Sequence, residues 1–144
     1  MFDSILVLCT GNVCRSPIAE RLLRNALKNK KIDSAGLGAL IDNPADPAAV
    51  KVAAKHGLSL DGHMGRKFSS SMAREYDLIL VMDKEHLAKI SQVAPEARGK
   101  TMLLGHWLNQ AEIPDPYKKS DEAFDYVYKI IEKSCLYWVE KLID

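Results

Sequence analysis

Apolar residues run without a break from Ile5 to Leu8. A strand with one wet face would alternate them with polar residues, so this run predicts a strand buried on both faces over Ser4 to Cys9. Asp77-Leu78-Ile79-Leu80-Val81-Met82 repeats the pattern, and Lys30 to Ala35 and Lys100 to Leu104 are shorter candidates of the same kind. Between the strands the period changes. After Ser16-Pro17, the residues Ala19, Leu22, Leu23, Ala26 and Leu27 fall on one helical stripe. Asp46-Pro47 has the form of an N-cap followed by proline in the first turn, and Gly57 suits a left-handed C-terminal cap. Lys84 to about Val93 reads as a short helix closed off by Pro95. The last helix has Ser120 as its cap and Asp121 and Glu122 in its first turn. Phe124, Val127, Tyr128, Ile131, Cys135, Trp138 and Leu142 then line one face, which is a core-packing face.

Strands that alternate with helices imply parallel pairing through right-handed crossovers. The expected class is α/β: a small doubly wound parallel sheet of about four strands with helices on both faces. The chain, residues 1–144, is expected to form a single domain, long enough to bury a core without staples. In such sheets ligands bind beyond the carboxyl ends of the strands. The stretch from Gly105 to Lys119 is a long loop ending in Pro114-Asp115-Pro116-Tyr117, and long loops in compact domains are often functional.

Charge and composition narrow the classes. Twenty basic against nineteen acidic residues leave a formal charge of +1. That balance gives no reason to expect a nucleic acid or an anionic membrane as partner. Three cysteines (Cys9, Cys14 and Cys135) make a poor disulfide framework and suggest a reducing compartment. The first apolar run is too short for a signal-peptide core or a membrane span, and no later stretch is long enough. The expectation is a cytoplasmic protein with no stable membrane insertion.

The first strand runs directly into Cys9-Thr10-Gly11-Asn12-Val13-Cys14-Arg15-Ser16-Pro17. A loop between a strand end and a helix N-terminus can aim several backbone N–H groups at one point, and the helix dipole adds positive potential there. Such a nest suits an oxyanion. Gly11 gives the loop conformational freedom, and Asn12 tolerates the left-handed region while bonding nearby backbone. The same field favours the thiolate of Cys9, the nucleophilic form. Arg15 offers a planar fork matched to two phosphoryl oxygens. Ser16 could cap the helix or donate its hydroxyl to the thiolate. Pro17 fits the first helical position, where no N–H is needed.

This nine-residue segment resembles the phosphate-binding loop of the low-molecular-weight protein-tyrosine phosphatases. The likeness extends to Ser34-Ala35-Gly36 after the second strand, to Asp77-Leu78-Ile79-Leu80-Val81-Met82-Asp83, and to the acid loop Ile113-Pro114-Asp115-Pro116-Tyr117. Gly99 to Trp107 further resembles the bacterial branch that serves capsule and exopolysaccharide systems. The resemblance implies that Cys9 attacks phosphorus to form a phosphocysteine intermediate. Asp115 would protonate the leaving oxygen and then help water attack, while Arg15 and the amides of Thr10, Gly11, Asn12, Val13, Cys14 and Arg15 hold the phosphoryl oxygens. Asn12 and Ser16 match the residues that organise the loop. Tyr117 is implied as one wall of the site and Leu40 is a candidate for the other. The family's animal members tend to carry a second aromatic after that tyrosine, where this chain has Lys118. The implied substrate is a phosphotyrosine protein, a bacterial tyrosine autokinase on the branch resemblance; no metal or cofactor is implied, and the expected working unit is a monomer.

Other patterns fail on inspection. Gly36-Leu37-Gly38 lacks the third glycine of a dinucleotide loop, and Ala94 to Thr101 lacks the leading glycine of a nucleotide-binding loop. His56, His63, His86 and His106 offer no close ligand pair and read as surface or loop histidines. An arsenate reductase of the same fold is the alternative function; it needs downstream cysteines to relay a disulfide, and only Cys135 follows Cys14. A non-catalytic phosphotyrosine-binding module would not need Asp115. The spacing of Cys9 and Cys14 also suggests a reversible disulfide that protects the nucleophile from oxidation.

Overall fold

The computed structural model describes residues 2–143. Within them, four parallel strands form one sheet in the order β2-β1-β3-β4. They are β1 (Ser4–Cys9), β2 (Lys31–Gly36), β3 (Leu78–Val81) and β4 (Thr101–Leu103). β1 is central because its residues are apolar on both faces. Ile5 and Val7, with Cys9 at the end, join one core cluster, while Leu6 and Leu8 join the other. The register pairs Val7 with Ser34 on one side and with Leu80 on the other.

Helices cover both faces, as the alternation of elements predicts. α1 (Arg15–Ala26), α2 (Pro47–Lys55) and the long α5 (Asp121–Leu142) pack on the face of Ile5 and Val7. α5 contributes the expected stripe: Phe124, Val127, Tyr128, Ile131, Cys135, Trp138 and Leu142 are all buried. Each fully buried side chain of that size is worth about 1.5–3 kcal/mol, so the stripe fixes α5 against α1. A one-turn helix, α3 (Ser70–Ala73), α4 (Lys84–Val93) and a 3-10 turn over Pro95–Lys100 cover the opposite face. Asp46 and Ser120 cap their helices as expected, accepting from the amides of Ala48 and Ala123. Gly57 takes φ +74 just beyond α2, the left-handed conformation its position calls for.

The structure corrects three local expectations. α1 begins at Arg15, so Pro17 is its third residue instead of its first; it still lies in the first turn, where its missing N–H has no partner to lose. Cys14 occupies the cap position without a side-chain bond, which leaves Ser16 free for another use. The left-handed backbone of the first loop is at Asn12 (φ 58), not at Gly11, where an added Cβ would meet only ordinary contacts with Val13 and Leu40.

Candidate active site

All four strands end on one side of the sheet, and the loop after β1 opens there. It wraps a cavity of about 150 Å³ lined by Cys9, Thr10, Gly11, Val13, Cys14 and Arg15 from the loop, by Gly38 and Leu40 from the segment after β2, and by Asp115 and Tyr117. Every residue expected from sequence to touch the phosphoryl group therefore reaches one cavity except Asn12, which turns away to brace the loop from behind.

Three backbone bonds hold the segment after β2 against the loop. The amides of Leu37, Gly38 and Leu40 donate to the carbonyls of Cys9, Thr10 and Gly11 at 3.0, 2.9 and 3.0 Å. This zipper carries Leu40 to the rim, where it forms part of one wall. It also explains Gly36: a Cβ there would lie 2.6 Å from the Thr10 carbonyl oxygen, so the glycine serves close backbone approach.

Behind the loop runs a chain of buried hydroxyls and amides. Ser34 Oγ donates to Glu20 Oε1 at 2.9 Å, and so accepts from Asn12 Nδ2 at 3.0 Å. The second Asn12 N–H donates to Ser16 Oγ at 2.8 Å. Ser16 Oγ lies 2.9 Å from Cys9 Sγ, and the Asn12 backbone amide approaches the same sulfur at 3.3 Å. Ser16 Oγ is thus placed to donate to the Cys9 sulfur when it attacks as a thiolate. Asn12 Oδ1 accepts from the Arg66 amide, and the Asn12 carbonyl accepts from His63 Nε2 at 2.6 Å. The strained φ of Asn12 is held from every side.

Arg15 is 2% exposed and is gripped by three elements. Its Nη1 donates to the Ile113 carbonyl at 2.7 Å and lies 3.4 Å from Asp83 Oδ2, while Nη2 approaches Thr10 Oγ1 at 3.4 Å. Asp115 stands opposite, its Oδ2 3.7 Å from Arg15 Nη2. Its other oxygen accepts from the Tyr117 amide at 3.0 Å, an Asx turn that the flanking prolines stiffen. Tyr117 is half exposed at the rim, and Lys118 Nζ sits 5.5 Å from its ring centre.

Of the histidines expected at the surface or in loops, His86 departs from that expectation and His63 meets it only in part. His63 sits in a loop but is buried under Asn12, and His86 is buried in the first turn of α4 beside Thr10. Burial pushes both below the ordinary 6.5. The only sequence hint was Asp83, which caps α4 by accepting from the His86 amide. Cys14 and Cys135 are buried too, and burial pushes both thiols up. Among the described residues no cluster of three His, Cys, Asp or Glu side chains could hold a metal ion, and no helix is long and apolar enough to cross a membrane.

Comparison with known proteins agrees with this geometry. Residues 4–144 match the family model described as low molecular weight phosphotyrosine protein phosphatase. A putative low-molecular-weight protein-tyrosine-phosphatase of Klebsiella pneumoniae is 61% identical over 99% of both chains. The low-molecular-weight protein-tyrosine-phosphatase Etp of Escherichia coli K12 is 57% identical over 98% of this chain and 95% of its own. The crystal structure of the tyrosine phosphatase Wzb from Escherichia coli K30 in complex with sulphate superposes with a TM-score of 0.97 at 65% identity, covering 99% of each chain. The chain belongs to the low-molecular-weight protein-tyrosine-phosphatase family.

Proposed function

We propose that this enzyme hydrolyses phosphotyrosine in proteins through a phosphocysteine intermediate, in the cytoplasm, as a single domain working as a monomer. The observation that carries the reading is the arrangement of Cys9, Arg15 and Asp115 around one cavity, with Arg15 between the nucleophile's loop and the acid. Cys9 Sγ attacks phosphorus as the phosphorus–oxygen ester bond breaks. The carboxylic proton of Asp115 passes to the leaving phenolate oxygen. Asp115, now ionised, takes a proton from water; the water oxygen attacks phosphorus, the sulfur–phosphorus bond breaks and orthophosphate leaves. Arg15 and the amides of residues 10 to 15 hold the three equatorial oxygens through both steps. The field comes from the loop and α1, so no metal or cofactor is required. Tyr117 and Leu40 flank the substrate ring as walls.

The physiological substrate we infer is a phosphorylated tyrosine autokinase that controls capsule or exopolysaccharide production. Support comes from the likeness of Gly99 to Trp107 to that bacterial branch and from the identity with relatives named Wzb and Etp. The arsenate-reductase alternative is disfavoured by Cys135, which is 3% exposed with its sulfur turned toward the Ala19 carbonyl in the core.

The test is hydrolysis of an aryl phosphate at mildly acidic pH with EDTA present. The parent is expected to be active, Cys9→Ser dead and Asp115→Asn strongly impaired. An inactive parent, or an active Cys9→Ser variant, would sink the mechanism. Co-incubation with a phosphorylated tyrosine autokinase that left its phosphotyrosine signal unchanged would remove the substrate assignment alone.

A further inference from the structure

The hydrogen bonds of Thr10 and His86 reach beyond the roles given above. The Met82 backbone N–H can only donate, and it donates to His86 Nδ1 at 3.2 Å. Nδ1 is therefore the acceptor nitrogen, and the proton of the neutral ring sits on Nε2. Nε2 lies 3.1 Å from Thr10 Oγ1 and donates to it. Arg15 Nη2 approaches the same oxygen at 3.4 Å. A hydroxyl accepts twice and donates once. With both acceptor positions taken by N–H groups, the Thr10 proton must be donated elsewhere. Thr10 is exposed and lines the cavity with Cys9, Arg15 and Asp115, so its proton faces the place where a phosphoryl group would sit.

We propose that His86 is a positioning residue that turns the Thr10 hydroxyl into a hydrogen-bond donor to the bound phosphoryl group and steadies Arg15 beside it. The proposal rests on the part of the proposed function that makes this cavity a phosphoryl-binding site. The turn that carries His86 also carries Asp83, whose Oδ1 accepts from the His86 amide at 3.0 Å and whose Oδ2 lies 3.4 Å from Arg15 Nη1. One turn thus reaches the guanidinium twice, once directly and once through Thr10. The charges facing the imidazole are Asp83 on its own turn, Arg15 on α1 and Asp115 on the acid loop. Burial outweighs them in keeping the ring neutral, the state with a single N–H to give.

The experiment measures the affinity of the protein for inorganic phosphate by calorimetry, which needs no turnover. The variants are Thr10→Val, His86→Asn, His86→Gln and the double Thr10→Val/His86→Asn. The asparagine oxygen stands where Nδ1 does and keeps the Met82 bond, but nothing on it reaches Thr10. The glutamine nitrogen stands where Nε2 does. Thr10→Val and His86→Asn should each weaken phosphate binding about tenfold, the size of one hydrogen bond to a charged group. The double variant should lose no more than about twofold beyond either single, because both remove the same interaction, and His86→Gln should stay within about threefold of the parent. Phosphate affinity unchanged by either single substitution, an additive loss of about a hundredfold in the double, or a glutamine variant as weak as the asparagine one would each overturn the proposal. A parent that binds phosphate but hydrolyses no aryl phosphate would sink the phosphatase mechanism and leave this inference standing. A parent that binds no phosphate would end both.

Discussion

Arg15 Nη1 donates to the main-chain carbonyl of Ile113 at 2.7 Å, two residues before Asp115. The proposed phosphate clamp is thus tied by one short bond to the loop that bears the proposed acid, and the buried Ile113 side chain anchors that loop. A lysine at position 15 would keep the charge but could not serve Ile113, Asp83 and Thr10 together, since it lacks the planar fork. Arg15→Lys is expected to lower kcat/KM for an aryl phosphate by at least about a hundredfold, the usual loss when an oxyanion donor is removed. Steady-state kinetics checks this; a loss below tenfold would show that charge alone suffices.

Ser34 does not line the cavity, yet it passes the order of the network from Glu20 to Asn12. Removing its hydroxyl leaves a buried Asn12 N–H without that partner and leaves Glu20 Oε1 with only the Arg24 guanidinium, 3.7 Å away. Ser34→Ala is expected to cost about 2 kcal/mol, which lowers the unfolding midpoint by roughly 4–8 °C for a chain of this size. It should also slow turnover, because Asn12 then orients Ser16 less well. A thermal midpoint equal to that of the parent would show that the network bears no weight.

The two buried histidines set the acid limb of stability. Both have folded values below the ordinary 6.5, mainly through burial, so the unfolded chain binds more protons than the folded one once the pH falls below 6.5. Stability is full above that value, declines through the interval down to the folded values, and levels off beneath them. Urea unfolding between pH 7.5 and 5 is the measurement. The decline should shrink in His63→Asn; an identical slope would acquit that residue.

Cys14 and Cys135 are held as neutral thiols by burial. Brief alkylation near neutral pH should therefore spare both while inactivating the enzyme at Cys9, as peptide mapping would reveal. If Cys14 protects Cys9 as a reversible disulfide, inactivation by peroxide should be recoverable with thiols in the parent and much less so in Cys14→Ser. Equal recovery in the two proteins would remove that role.

The sheet was legible because its central strands are apolar on both faces, a pattern with few other meanings. The helices were legible from their caps: Asp46, Ser120 and Gly57 all act where the chemistry says they should. α3 and the 3-10 turn were not, because each is too short to show a period. The first loop and the acid loop, both singled out by motif, meet at one cavity. His63 and His86 were missed for a physical reason. Each bonds a group more than fifty residues away, a backbone carbonyl in one case and a hydroxyl in the other, and no local spacing encodes such a partner. Gly11 was over-read, since the loop spends its conformational freedom at Asn12.

The chain contains two tryptophans, and both lie at the root of the loop that bears Asp115. Trp138 Nε1 donates to the Leu104 carbonyl at 2.8 Å, and Trp107 meets the Trp138 ring edge-on at 5.6 Å with Lys141 Nζ 4.6 Å from its own centre. The intrinsic fluorescence of this protein is therefore a local signal. Its emission reports on the base of one loop, which makes the native chain its own optical probe for any change there during turnover, with no dye attached.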